Sequence, residues 1–449
     1  MEGILYMLGG KLHFRLSRLV VLMGLLLFSC SVALADSGKS IELPQLLDDL
    51  LKNHERLQAA EAAVEAARHT VDRARSGWYP RVDASAEGGT EEIDLPGRDH
   101  ATSKLRNEET LTATQLLYDF GGVAGSVDAS EAMVDETIAR REQIRQQLLV
   151  QGISAYLMVV RGREMLRYAK LSEENIKRLS GMQEALVNRG AGLSYEDLQV
   201  KAQLAGAQAH RVNVERELQT GMNAFRSVFG FSPSEEEVEH LVMPKLPQKA
   251  LPMSLDAAIE SAFKDNPVLV EMAGTVDRNQ GLVRNAESSY YPQFDFVVEG
   301  VRKEQDQGDD GVRYENRTSV MMNYNLFNGG GDTDAVRAAR SDLVSARKSV
   351  LDGRRGVEEA VRNAWNDLMT LRKNVELYEN QANITWEFLG LVKKKKAMGA
   401  EVGLLDILVG ERDYISAISS KVTAEIDEVI AAYTLLFQMG RISVEDVRR

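Results

Sequence analysis

A chain of 449 residues with 54 basic and 67 acidic side chains carries a formal net charge of −13, which sets it against the polyanionic backbone of nucleic acid. Its one cysteine, Cys30, falls in an N-terminal segment that reads as cleavable, so the mature chain has no thiol for a disulfide, a catalytic thiolate or a cysteine-ligated zinc. Beyond that segment no run of about 18 apolar residues occurs, which excludes a helical membrane span and leaves periplasmic, secreted and outer-membrane barrel proteins.

In residues 1–35, Lys11, Arg15 and Arg18 precede the apolar run Leu19 to Phe28, and Ala33-Leu34-Ala35 supplies the small residues a signal peptidase needs. This predicts export and a mature chain starting at Asp36. Lipoprotein processing at Cys30 is the alternative, because Leu27-Phe28-Ser29-Cys30 loosely resembles a lipobox in which Phe28 is too bulky. Losing Lys11, Arg15, Arg18 and Glu2 moves the net charge from −13 to −15.

The first helical stretch runs from about Leu43 to Gly77. The period then falls to 2: Val82, Ala84 and Ala86 alternate with Arg81, Asp83, Ser85 and Glu87, and Leu111 and Ala113 with Thr110, Thr112 and Thr114. These are half-exposed strands. From about Gly122 to Asn188 the helical period returns, with Ile144, Leu148, Gly152, Ala155 and Val159 in one stripe and Leu149, Ile153, Tyr156 and Val160 in another. Two seams on one helix imply neighbours on both sides. Such a helix spans roughly 100 Å, far beyond an average one. Gly190 and Gly192 then allow a reversal over Arg189 to Asp197, and Ser194 with Asp197 reads as a capping pair opening a helix to Phe229. An aspartate in a first turn needs no further purpose than offsetting the helix dipole. Phe231 to Met253, with Pro233, Pro244, Pro247, Pro252 and Glu235 to Glu237, reads as an irregular belt.

The chain then says much the same again. With an offset of 212, Leu43 falls on Leu255, Tyr79 on Tyr291 and Pro80 on Pro292; with an offset of 209, Leu117-Tyr118-Asp119-Phe120-Gly121-Gly122 falls on Leu326-Phe327-Asn328-Gly329-Gly330-Gly331. A period this long marks a duplicated half-protein, not a solenoid. The expected parts are therefore a signal peptide (1–35), a first repeat (36–230), a bridge (231–253), a second repeat (254–440) and a tail (441–449). In the second copy Phe294, Phe296 and Val298 alternate with Asp295 and Glu299, and Val320, Met322, Tyr324 and Leu326 with Ser319, Asn323 and Asn325. A long helix from about Asp332 to Met398 ends in Lys393 to Lys396, and a second reversal contains Gly399, Gly403 and Asp406. The lysines suit the negative end of a helix or a partner's docking surface.

Strands apolar on one side and polar on the other, about ten residues long, match a transmembrane barrel wall. A soluble hairpin packed on a helix alternates in the same way. Four strands cannot close a barrel in lipid, because their edges leave backbone groups unpaired, so a membrane reading requires several copies of the chain.

The signal segment, the repeated Tyr-Pro before a strand, the two strand-to-helix turns and the glycine-led reversals ending in Asp197-Leu198 and Asp406-Ile407-Leu408 resemble the TolC-type outer-membrane efflux protein family. The likeness runs from about Leu43 to Gly440. It implies a mainly α protein with transmembrane β, a homotrimer whose four strands per chain make a 12-stranded β-barrel in outer-membrane lipid, continued by a long α-helical barrel into the periplasm. It further implies an exit duct for type I protein secretion or multidrug efflux, serving with a periplasmic adaptor and an inner-membrane ABC or proton-driven transporter. Phe294, Phe296, Val298, Val320, Met322, Tyr324 and Leu326 then face lipid. Asp119, Gly121, Gly122, Asn328, Gly330 and Gly331 form the strand-to-helix turns, and Gly190, Gly192, Gly399 and Gly403 the tip. Acidic residues of the family ring the periplasmic entrance and attract cations. Asp406, and Asp197 with it, are the candidates here, but a second family position falls on Val409, which thins the ring.

No catalytic, cofactor or metal constellation is found. His54, His69, His100, His210 and His240 are scattered singly, as are Trp78, Trp365 and Trp386, and Gly329 to Gly331 lack the Lys and Ser or Thr of a phosphate loop. A periplasmic coiled-coil adaptor is the alternative function, although such proteins carry one helical hairpin inserted in a small β domain. The Leu-Tyr-Asp-Phe-Gly-Gly turn, similar to that of ducts for secreted adhesins, leans the cargo toward protein.

Overall fold

The structure, a computed structural model, describes residues 42–94, 101–190, 192–399 and 403–448; the expected signal segment with Cys30, and His100, lie outside these. The first copy contributes α1 (Leu43–Asn53), α2 (Glu55–Arg75), β1 (Arg81–Ile93), β2 (Thr102–Tyr118), α3 (Gly122–Asn188) and α4 (Ser194–Phe229). After α5 (Glu235–His240) the series recurs as α6 (Leu255–Asp265), α7 (Pro267–Glu287), β3 (Gln293–Glu304), β4 (Val312–Asn323), α8 (Gly331–Ala397) and α9 (Leu404–Gln438), and α10 (Glu445–Arg448) follows. α3 and α8 have 67 residues each, about 100 Å of helix. Among the described residues no helix is long and apolar enough to cross a membrane, and no group of three or more His, Cys, Asp or Glu could hold a metal.

The stretch expected as one helix from Leu43 to Gly77 is two. His54 turns extended (φ −72°, ψ 128°), ends α1, and accepts the Arg56 N–H at Nδ1 (3.1 Å) to cap α2. Asn266 does the same for α7 through the Val268 N–H (2.9 Å), with Pro267 at the first helical position. A proline pushes its predecessor out of the helical region, which forces the break in the second copy. His54 is thus a helix cap.

α3 is flanked along its length by α2 and then α4 on one side and by α7 and then α9 on the other, whereas α8 packs on α6, α7 and α9. The helical layer therefore reads α2–α3–α7–α8 near the sheet and α4–α3–α9–α8 away from it. Both stripes of α3 are covered: Leu148, Leu149, Ile153, Tyr156, Val159 and Val160 are buried, each contributing about 1.5–3 kcal/mol if it is a large apolar side chain. α8 buries one flank only, where Val361 and Leu368 meet Ala258, Ala262, Ala432 and Leu435 of α6 and α9, with Trp365 packed against them.

The belt is pinned to α3. The Tyr156 hydroxyl donates to the Val242 carbonyl and accepts its N–H, both at 2.9 Å, and Arg163 donates to the carbonyls of Val238, Glu239 and Leu241 at 2.7–3.1 Å, satisfying the end of α5. Earlier in α3, burial by itself raises the Glu142 carboxyl, but hydrogen bonds from Arg145 (2.7 Å) and Gln146 (2.9 Å) hold it below its ordinary range.

Candidate functional site

The four strands form one antiparallel sheet in chain order, with β1 and β4 at its edges. Their register aligns Val82, Ala113, Val298 and Thr318 in one row and Ala84, Leu111, Gly300 and Asn316 in the next; toward the helices come Gln115, Phe296 and Val320, then Tyr118, Phe294 and Met322. Strand side chains alternate, so these rows share one face. The other face carries Asp83, Thr112, Glu299 and Arg317, then Ser85, Thr110, Val301 and Glu315, then Glu87, Glu108, Lys303 and Arg313. Among the described residues no helix covers the apolar face: Val82, Val320 and Met322 are 64%, 63% and 59% exposed. That removes the soluble hairpin packed on a helix. The strands have 12 to 17 residues, longer than the ten expected.

Tyr324 and Leu326 are a correction. β4 ends at Asn323, whose partner Gln293 opens β3. Pro292, which has no N–H to give, stands before it, so the residues after Asn323 have no ladder to join.

At the strand-to-helix turns the two copies use one device. Asp119 accepts the N–H groups of Gly121 (3.1 Å) and Val123 (2.5 Å), and Asn328 accepts that of Asp332 (3.3 Å). Gly121 (φ 99°) and Gly330 (φ 92°) are left-handed N-caps that only glycine adopts freely. Gly122 is glycine for space: a Cβ there would meet Asp119 Oδ2 and Ser288 Oγ at 2.9 Å, and at Gly331 the nearest atom, Asn328 Nδ2, stands at 3.2 Å. Phe120 takes φ 52° where the second copy has Gly329, and stacks on Tyr291 at 4.8 Å.

At the far end, Gly190 (φ 72°) and Gly399 (φ 79°) end the long helices in the left-handed region. Gly192 serves close approach, since a Cβ would stand 2.9 Å from the Val187 nitrogen, and Gly403 has an ordinary φ of −59°. The expected Ser194–Asp197 capping pair does not form: Leu193 is the N-cap and Ser194 already helical, because the helix starts one residue early. Asp197 pairs instead with Lys201 at 3.0 Å, holding that ammonium above its ordinary value, while its Oδ1 is buried without a hydrogen bond. Asp406 lies exposed in the first turn of α9. Of the lysine run, Lys393 is committed to Glu411 of α9 (2.5 Å), a carboxylate only 3% exposed that also accepts Asn175 Nδ2 of α3 (3.2 Å). Glu411 escaped the sequence reading because one acidic residue in a helical pattern reads as solvated.

This architecture has known counterparts. The family model described as outer membrane efflux protein matches residues 46–230 and 258–441. The chain belongs to that family. It is 24% identical over 431 residues to the outer membrane efflux protein BepC of Brucella suis, covering 94% of this chain and 90% of that one. To the alkaline protease secretion protein AprF of Pseudomonas aeruginosa it is 22% identical over 413 residues, 88% of this chain and 84% of the relative. The solved CmeC outer membrane channel of Campylobacter jejuni shares the fold with a TM-score of 0.77 at 15% identity, over 89% of this chain and 85% of that one. The adaptor reading is thereby set aside.

Proposed function

We propose that three copies close their sheets into one 12-stranded barrel in the outer membrane and continue it into the periplasm as a helical tunnel, a passive exit duct with no catalysis of its own. The carrying observation is a four-stranded sheet that, among the described residues, has one bare apolar face and two unpaired edges. In lipid each unpaired backbone group costs several kcal/mol, and single-chain barrels begin at eight strands, so the edges are met by other copies. Phe294, Phe296, Val298, Val320 and Met322 then face lipid.

The helical layer supports the same ring. Its edges away from the sheet are α4 and α8, and each exposes an apolar stripe at heptad spacing: Leu198, Ala202, Ala205, Ala209 and Val212 on α4, and Leu377, Ile384 and Leu391 on α8, with Met398 just past its end. Small residues on one edge face large ones on the other, which suits a head-to-tail contact between neighbouring copies. With both tips level, Leu391 meets Ala202 and Ile384 meets Ala209.

Asp406, with Asp197 beside it, lines the periplasmic constriction, and the tip receives a periplasmic adaptor and an inner-membrane ABC or proton-driven transporter. The name of AprF speaks for protein cargo and that of BepC for efflux, and the Leu-Tyr-Asp-Phe-Gly-Gly turn favours type I protein secretion. Mature protein extracted from outer membranes is expected to migrate as a trimer until boiled and to conduct ions across a planar bilayer; a water-soluble monomer that never conducts refutes the reading. Comparing proteins in the medium of deletion and parent strains identifies the cargo class.

A further inference from the structure

The connection between β3 and β4 does not project away from the sheet. It folds back across the charged face at the end remote from the helices. Asp306 bonds Arg106 of β2 (3.2 Å), Asp310 pairs with Lys104 of β2 (2.6 Å), and the Gln307 N–H donates to Glu91 of β1 (3.1 Å). A segment joining β3 to β4 thus reaches past β2 to the far edge strand, about 10 Å across strands spaced about 4.8 Å apart. Arg106 sits at its centre, also facing Glu87 (3.9 Å), Glu91 (3.8 Å) and Glu108, while Lys303 lies 4.0 Å from Asp306 and 3.5 Å from Glu315.

The segment is held in a shape it would not choose. Gln305 (φ 56°) and Gln307 (φ 57°) both occupy the left-handed region without being glycine, and such conformations persist only where surrounding contacts impose them. The Asp306 side chain is 10% exposed. That burial, with the three contacts to β1 and β2, shows that the segment rests on the sheet.

We infer that this connection is a strap that narrows the outer mouth of the duct, latched by Arg106 and Asp306. The inference rests on the trimeric duct reading, in which the charged face lines the lumen. Twelve strands about 4.8 Å apart and tilted about 40° enclose a wall of roughly 12 Å radius, and a layer resting on a sheet's side chains stands off by up to about 10 Å. Three straps, one per copy, therefore occupy most of the mouth, and cargo passes only when they lift. A permeability barrier at the outer end, in series with the periplasmic tip, follows.

Single-channel conductance of reconstituted trimers tests this. Arg106→Gln and Asp306→Ala are each expected to raise conductance, the double variant no further than either single one because both release the same latch, and Arg106→Lys to restore part of the closure. Asp306→Ala lies outside the strands and decides the matter if Arg106→Gln fails to assemble. Trimers of Asp306→Ala that conduct as the parent does overturn the strap and leave the duct intact. A parent protein that never conducts overturns both.

Discussion

Gly125 of α3 and Gly281 of α7 bring two helix backbones into direct contact, and alanine at Gly125 measures it. A Cβ there would lie 2.5 Å from the Asn285 nitrogen, 2.7 Å from the Gly281 carbonyl oxygen and 3.0 Å from the Asn285 Cα. All three are backbone atoms, so no rotamer change relieves the contact, and the helices must part by about 1 Å to reach ordinary van der Waals spacing. That movement also stretches the hydrogen bond from Asn285 Nδ2 to the Gly122 carbonyl, now 2.7 Å. Overpacking costs about 1–3 kcal/mol and alanine regains up to about 1 kcal/mol of helix propensity, leaving a net loss of up to about 2 kcal/mol per chain. Gly181 of the same helix has nothing within 4 Å of an added Cβ, so Gly181→Ala keeps the gain alone. Thermal melts of detergent-solubilised protein, followed by circular dichroism, should rank Gly125→Ala below the parent and Gly181→Ala at or above it. Equal midpoints for the two variants would refute the close-approach argument.

Three other outcomes are expected. Ala209→Cys combined with Ile384→Cys, in a chain whose one cysteine, Cys30, is replaced by serine, should link neighbouring copies on oxidation while neither single variant does; intact trimers without the link would sink the proposed α4–α8 register. Lys393→Ala leaves the Glu411 carboxylate buried with Asn175 alone and should cost about 1.5–3 kcal/mol, more than Glu411→Gln, which removes the charge with its desolvation; proteolysis of the tip against temperature compares them, and equal sensitivity contradicts the pairing. Glu142 is held below its usual 4.5 by Arg145 and Gln146 despite burial, so its stabilisation is present above pH 4.5 and lost as pH falls through the lowered folded value. Glu142→Gln should flatten that acid limb of the melting curve, and an unchanged slope would count against it.

The periodicities foretold the long helices and the faces of the strands because each is repeated over many residues. Ile144 to Val160 carry two stripes, and Phe294 to Val298 and Val82 to Ala86 alternate strictly, so the register merely lines them up. Features resting on one residue were hidden. His54 gives no sign in the sequence that it breaks a helix, although Asn266-Pro267 at the equivalent place could have warned of it. Gly125, Gly281 and Glu411 acquire meaning only from a neighbour far away in the chain. Tyr324 and Leu326 continued the alternation of β4 past the point where β3 could pair with it, since pattern records a strand's preference and not its partner. Ser194 fitted a capping rule that a start one residue earlier made irrelevant.

The equal length of α3 and α8 works as a ruler. Both begin at a turn beneath the same sheet and both end in a glycine-led reversal, so their 67 residues set both tips at one depth. Adding a heptad to one, about 10.5 Å, would leave a stepped rim, with half the tips protruding beyond the rest. The reach of the helical layer below the sheet can thus change only in matched increments to both copies and to α4 and α9 beside them. A duplicated gene is bound to lengthen in duplicate.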